Sequence, residues 1–178
     1  MPLRILLADD QQMIREALAM ILDLEIDLEV VKQVGRGDEV LPAVRETRPD
    51  VALLDIEMPG ATGIEAAAEL ARSGLTSQTG APVRSLILTT FRRPGYLRRA
   101  LEAGASGFVV KDGTASQLAQ AVRRTAAGLR VVDSVLAEEA KWQGSSPLTG
   151  RETEVLRAAE TAGSVKEIAG MLGLSSGT

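Results

Sequence analysis

Residues 51–60 read VALLDIEMPG, an apolar run that ends in Asp55 and is followed by a Pro-Gly turn. A run this short, bounded by turn residues, predicts a strand buried on both faces. Three further runs have the same form. LRILLA (3–8) leads into Asp9 and Asp10, SLIL (85–88) into Thr89, and GFVV (107–110) into Lys111. As strands of one parallel sheet they bring three carboxylates, a hydroxyl and an ammonium to one edge. Open α/β sheets place their sites outside the carboxyl ends of the strands, so that edge is the candidate site.

Working outward, helix-period stretches separate the apolar runs. Helices are predicted over 12–23, up to about 48–49, and over 64–72, 95–103 and 114–127, with another strand at 28–34. Strand and helix alternate five times, which predicts a five-stranded parallel, doubly wound α/β domain over residues 1–127. On the first helix Met13, Ile14, Ala17, Leu18 and Ile21 form the predicted inward stripe. Met20 and Leu22 fall off it and suggest an exposed apolar surface. Arg92, Arg93, Arg98 and Arg99 read as a solvated face.

From 128 to 147 the periodicity breaks down and QGSSP reads as a hinge, so this segment is taken as a linker. Residues 148–178 then read as a small all-α unit. Thr149 with Glu152 and Ser164 with Glu167 match capping boxes, and Ser175 is placed to cap a further helix.

Composition narrows the chemistry. The 178 residues carry a net charge of −4, are 45% hydrophobic and 25% charged, and contain no Cys and no His. Disulfides, thiol nucleophiles, Ser-His-Asp triads and the usual zinc sites are thereby excluded. The 2% aromatic content rules out a base-stacking surface. The amino-terminal apolar run is too short, and too interrupted by charge, for a signal peptide or membrane span, so a cytoplasmic location without membrane insertion is expected.

What remains is carboxylate, hydroxyl and oxygen-bound metal chemistry. Asp9, Asp10 and Asp55 would repel one another unless a hard cation sat between them, and Mg²⁺ suits such a set. The backbone carbonyl of Glu57 is placed to add a ligand. Asp55 is then a plausible nucleophile toward phosphorus, Lys111 a compact charge for phosphoryl oxygens, and Thr89 a hydroxyl donor to one of them. Gly35-Arg36-Gly37 reads as a turn, since nucleotide-binding glycines belong after the first strand.

The order Asp9-Asp10, Asp55 within LLDIEMPG, Thr89-Thr90 and Lys111 after SGFVV resembles the receiver domain of two-component response regulators. Residues 147–178 are similar to the start of a LuxR-type helix-turn-helix, and together the two resemble the NarL/FixJ group. The resemblance implies Asp55 as phosphoacceptor, Asp9 and Asp10 as the acidic pair at the metal, Thr89 as switch hydroxyl and Phe108 as switch aromatic. It implies Lys111 as the phosphoryl-binding lysine. A sensor histidine kinase would be the donor, and homodimerisation through the first and fifth helices the response, with Leu118 and Val122 on the fifth supplying the surface opposite Met20 and Leu22 and promoter DNA the target of the whole regulator. No enzymatic turnover beyond self-catalysed phosphoryl transfer is implied.

Two departures stand out. Residues 74–82, GLTSQTGAP, are longer than the family usually carries; a surface insertion there should leave the site intact. The recognition helix would start after Ser175, and residues 148–178 set Arg151, Arg157 and Lys166 against Glu152, Glu154, Glu160 and Glu167. The expectation is a truncated helix-turn-helix with no DNA-binding residues in this chain. A dehalogenase-type phosphatase would need D-x-D after the first strand, and a Rossmann oxidoreductase G-x-G-x-x-G; neither is present. A receiver used only for protein interaction stays open.

Overall fold

The computed structural model describes residues 1–90 and 95–132. By its internal packing the chain divides into units Met1–Ala140 and Lys141–Thr178, and every described residue belongs to the first. Arg92, Arg93, most of the expected linker and the expected helix-turn-helix lie outside the described residues.

Six parallel strands form one sheet in the order β2-β1-β3-β4-β5-β6. They are β1 (Leu3–Ala8), β2 (Leu28–Val34), β3 (Val51–Asp55), β4 (Arg84–Thr89), β5 (Gly107–Val110) and β6 (Val131–Val132). The five-stranded expectation is corrected by β6, which pairs Val131 with Gly107 and Val132 with Phe108. A turn at Gly128, with φ of +80°, returns the chain to the sheet edge, where the Val131 amide donates to the Ser106 carbonyl at 3.1 Å. A two-residue strand is too short to carry a period, so the pattern ended before it.

The helices are α1 (Gln12–Asp23), α2 (Val40–Thr47), α3 (Gly63–Ser73), α4 (Tyr96–Glu102) and α5 (Ala115–Ala126). Alternation along the strands separates two cores. Ile5, Leu7, Val51, Leu53, Leu86 and Leu88 pack under α1 and α5. Leu6, Ala8, Ala52, Leu54, Ile87 and Phe108 pack under α2, α3 and α4. Because both faces are covered, β3 is buried along its whole length. Thr62 and Thr114 head α3 and α5, each in a complete capping box, which fixes where the loops after β3 and β5 end.

The face of α1 differs from expectation. Arg15, Leu18, Ala19 and Leu22, at 3-1-3 spacing, turn toward the sheet and Leu22 is fully buried; of the expected stripe Ile14, Leu18 and Ile21 are half-buried, whereas Ala17 is exposed and Met13 is 83% exposed. Leu118 and Val122 are likewise core residues of α5. Leu22, Leu118 and Val122 therefore form no surface, while Met20 does, at 71% exposure. Arg15 occupies an inward position because its guanidinium reaches the Asp9 carbonyl; hydrophobicity alone assigned that position to solvent.

Thr125, on the buried side of α5, has no exposure and its hydroxyl has no hydrogen-bond partner. Thr125→Val keeps the shape and removes the stranded polar group, so it should raise unfolding stability by about 1–2 kcal/mol in urea titrations. An unchanged or lowered midpoint would show that the hydroxyl is satisfied.

Candidate functional site

The crossover topology sets the site. From β1 the chain runs to β2 on one side and then crosses to β3 on the other, leaving a crevice at the carboxyl ends of β1 and β3. Asp9 and Asp10 follow β1 and Asp55 ends β3, so the crevice is lined by carboxylates. Each of the three offers an oxygen, all within 4.8 Å of one another. Asp9 is fully buried and Asp55 nearly so, while Asp10 is exposed.

Lys111 reaches over from the end of β5. Its Nζ lies 2.6 Å from Asp9 Oδ2 and 2.5 Å from Asp55 Oδ1, with only 7% of its side chain exposed. The β4–β5 pairing carries it there: Thr89 sits opposite Val110, and the Lys111 amide donates to the Thr89 carbonyl at 2.8 Å. The other carboxylate oxygens are held by backbone. The Gln11 amide donates to Asp9 Oδ1 at 3.0 Å and the Glu57 amide to Asp55 Oδ2 at 2.9 Å.

Burial pushes the Asp55 carboxyl above its ordinary range, and the Asp9 charge adds to this; hydrogen bonding and charge from Lys111 pull the other way without cancelling it. Burial opposes the Lys111 charge, yet hydrogen bonds to Asp55 and Asp9 hold the ammonium above an ordinary lysine. Lys111 is therefore a fixed positive charge between two carboxylates.

Beside this cluster is a cleft of about 80 Å³, lined by Asp10, Gln11, Asp55, Ile56, Glu57, Thr89 and Thr90. The structure thus brings together Asp9, Asp10, Asp55, Thr89 and Lys111. Phe108 does not line the cleft: it is buried among the α2–α4 side residues, one strand position behind Val109. On α4, Arg98 pairs with Glu102 at 3.7 Å with both side chains exposed, as a solvated face would.

Residues that sequence reasoning passed over hold the site in shape. Gly63, the first residue of α3, donates to the Ile56 carbonyl at 3.0 Å, and a Cβ there would fall 2.9 Å from the Asp55 carbonyl carbon. Its φ is not positive, so glycine is required for room, not for conformation. The T-x-x-E pattern Thr62–Glu65 was the available signal, since a capping box fixes where α3 begins.

A parallel sheet with an acidic crevice at its switch point, bridged by a lysine from β5, is the architecture of a signal receiver. The profile of the response regulator receiver domain matches residues 5–123. The chain belongs to that family, and its relatives are NarL/LuxR-type response regulators. It is 42% identical over 174 residues to the transcriptional regulatory protein DesR of Bacillus subtilis (strain 168), covering 98% of this chain and 83% of DesR. The receiver domain of the response regulator NarL from Mycobacterium tuberculosis superposes with a TM-score of 0.66 at 33% identity, covering 71% of this chain and 98% of that one. A LuxR-family response regulator from Aurantimonas sp. SI85-9A1 gives 0.71 at 31% identity, covering 82% and 100%. Among the described residues no helix is long and apolar enough to cross a membrane.

Proposed function

We propose that this response regulator is phosphorylated on Asp55 by a sensor histidine kinase, and that the modification controls self-association and transcription. The observation that carries the assignment is the Lys111 bridge to Asp55, with Asp10 open beside it at the cleft. An Asp55 oxygen attacks phosphorus, the P–N bond of the kinase phosphohistidine breaks, and the leaving imidazole nitrogen keeps the bonding pair and takes a proton from water. The donor histidine belongs to another molecule, since this chain has none.

The donor set is all oxygen and partly open to water, which fits Mg²⁺ held by Asp9, Asp10, Asp55 and the Glu57 carbonyl. When bound, that ion neutralises charge on the transferring phosphoryl oxygens. Lys111 pairs with a phosphoryl oxygen and the Thr89 hydroxyl donates to another. Phe108, on the strand beside Thr89, is then the aromatic whose packing follows Thr89. One phosphoryl group is accepted per Asp55, without enzymatic turnover. Self-association is assigned to the outer stripe of α1, where Met13, Met20 and Leu24 are exposed at helical spacing, with Ile26 next to them. With a kinase partner and DNA as the output target, the protein works in the cytoplasm. Its domains are a receiver that runs past 127 to include β6, a linker from there to 147, and a partial LuxR-type helix-turn-helix segment without its recognition helix over 148–178.

The test is intact-protein mass after incubation with acetyl phosphate, with and without Mg²⁺. One Mg²⁺-dependent phosphoryl adduct is expected, and none in Asp55→Ala. Turnover of the donor without an adduct would favour a phosphatase, and an adduct retained in Asp55→Ala would move the phosphoacceptor elsewhere.

A further inference from the structure

The turn Gly35-Arg36-Gly37 lies against both halves of the acidic crevice. At Gly37, the first residue of a 3₁₀ turn (Gly37–Glu39), the amide donates to the Pro59 carbonyl at 3.0 Å. Gly37 is buried, and a Cβ there would fall 2.5 Å from the Ala61 carbonyl carbon and closer still to its oxygen. Since the φ of Gly37 is not positive, the glycine is there so that two backbones can touch.

The next residue completes the contact. Asp38 is clamped by Arg36 at 3.0 and 2.9 Å, and its carboxylate lies where a side chain on Gly60 would be. Gly60 has φ of +85°, so the segment 59–61 is itself a turn fitted under the 35–38 backbone. On the other flank Gly35 leaves space for the Arg15 guanidinium, which donates to the Asp9 carbonyl.

The loop from Ile56 to Thr62 carries Glu57 and follows directly on Asp55. Its remaining backbone ties run to β3 and α3: the Glu57 amide to Asp55, the Gly63 amide to Ile56, and the Ala66 amide to Thr62. Among the described residues, the Gly37 amide makes the one backbone hydrogen bond joining this loop to another part of the sheet layer. Between the ends of the loop the Tyr96 hydroxyl donates to the Glu57 side chain at 3.5 Å, while the Gly37 contact bears on the backbone two residues on from the Glu57 carbonyl.

We infer that Gly37 is a positioning residue for the phosphoacceptor loop: its backbone contact with Pro59 and Ala61 sets where Glu57 stands relative to Asp55. The inference rests on the assignment of Asp55 and Mg²⁺ above. Groups that orient metal ligands from outside change metal affinity or activity roughly 10- to 100-fold when altered. Gly37→Ala is therefore expected to weaken Mg²⁺ binding and slow acetyl phosphate-dependent phosphorylation by about that factor. Gln78→Ala should phosphorylate at the wild-type rate, because Gln78 is exposed in the turn before the amino end of β4, away from the crevice.

The experiment measures phosphorylation rate and Mg²⁺ affinity in both variants, together with an amide NMR titration of the unmodified chain with Mg²⁺ alone. In that titration the Gly37 amide should shift with the same midpoint as the Glu57 amide, a coupling that a merely structural glycine would not show. Wild-type rate and Mg²⁺ affinity in Gly37→Ala, or a Gly37 amide that stays still while Glu57 moves, overturns the inference. If Gly37→Ala does not fold, the titration decides alone. If the unmodified chain takes no phosphoryl group while Gly37 and Glu57 titrate together, the Asp55 assignment fails and the loop coupling stands.

Discussion

Lys111→Met should cost the folded domain about 3–5 kcal/mol, the loss expected when one partner of a buried ion pair is removed. Asp9 is fully buried and Asp55 nearly so, and the Lys111 ammonium lies within 2.6 Å of both. Without it, two adjacent carboxylates stay buried with only the Gln11 and Glu57 amides to hold them. The sign of the pH response follows. Asp55 already binds its proton more tightly in the folded state than at its ordinary value, and losing Lys111 strengthens that preference. A group with a raised folded pKa favours folding below its unfolded pKa and loses that contribution as pH rises through the folded one. The variant should therefore regain stability on mild acidification, more so than the parent. Mg²⁺ should also raise its midpoint more than the parent's, because the lysine no longer competes for the same oxygens. Urea denaturation at neutral and mildly acidic pH, with and without Mg²⁺, measures all three. A loss of about 0.5 kcal/mol or less, as for an ordinary surface change, would mean that the lysine bridge contributes little.

Phe108→Ala should cost a similar amount, about 3–5 kcal/mol, by a different route. Phe108 is a fully buried large side chain on β5, packed in the core under α2, α3 and α4. Truncation leaves a cavity that neighbouring strands cannot close, because Ile87 and Val132 are fixed by their register with it. Phe108→Leu refills most of the space and should lose less than about 1.5 kcal/mol. Since Phe108 does not line the cleft, the leucine variant should still accept a phosphoryl group on Asp55. Any defect it shows should lie in the response that follows, read as loss of phosphorylation-dependent self-association by light scattering. A leucine variant that fails to take the phosphoryl group would place Phe108 in the transfer step itself.

The candidate site was legible because each of its side chains stands where an apolar run stops. A buried parallel strand reads as a continuous hydrophobic word, so its carboxyl end is marked by the first charged or hydroxylated residue. Asp9, Asp55, Thr89 and Lys111 were all found this way. The rotation of α1 was not, because Arg15 looks like a solvent residue until the Asp9 carbonyl is known to lie beside it. Leu22 was assigned outward for the same reason, the stripe being drawn around Met13 and Ala17. On α5, Leu118 and Val122 were put on the surface although they face the sheet, since an apolar position on an amphipathic helix does not say whether sheet or partner covers it. β6 escaped because two residues carry no period. Gly37 and Gly63 escaped because the need for glycine came from a neighbouring backbone far away in sequence, and such contacts leave no local pattern.

The segment 74–82 offers an opening of another kind. Its turn closes on itself through the Thr76–Pro82 bridge and the Ser77 amide to the Ala81 carbonyl at 2.8 Å, and Arg48 ties it down by donating to the Ser77 carbonyl at 2.9 Å. These bonds sit at the amino ends of β3 and β4, and β4 at about 3.3 Å per residue puts the chemistry roughly 20 Å away. Gln78 is exposed and engages through its backbone amide alone among the described bonds. In a chain without cysteine, Gln78→Cys would create a unique thiol for a dye, a spin label or a surface tether. The receiver can thus be watched from its quiet end while its other end is being phosphorylated.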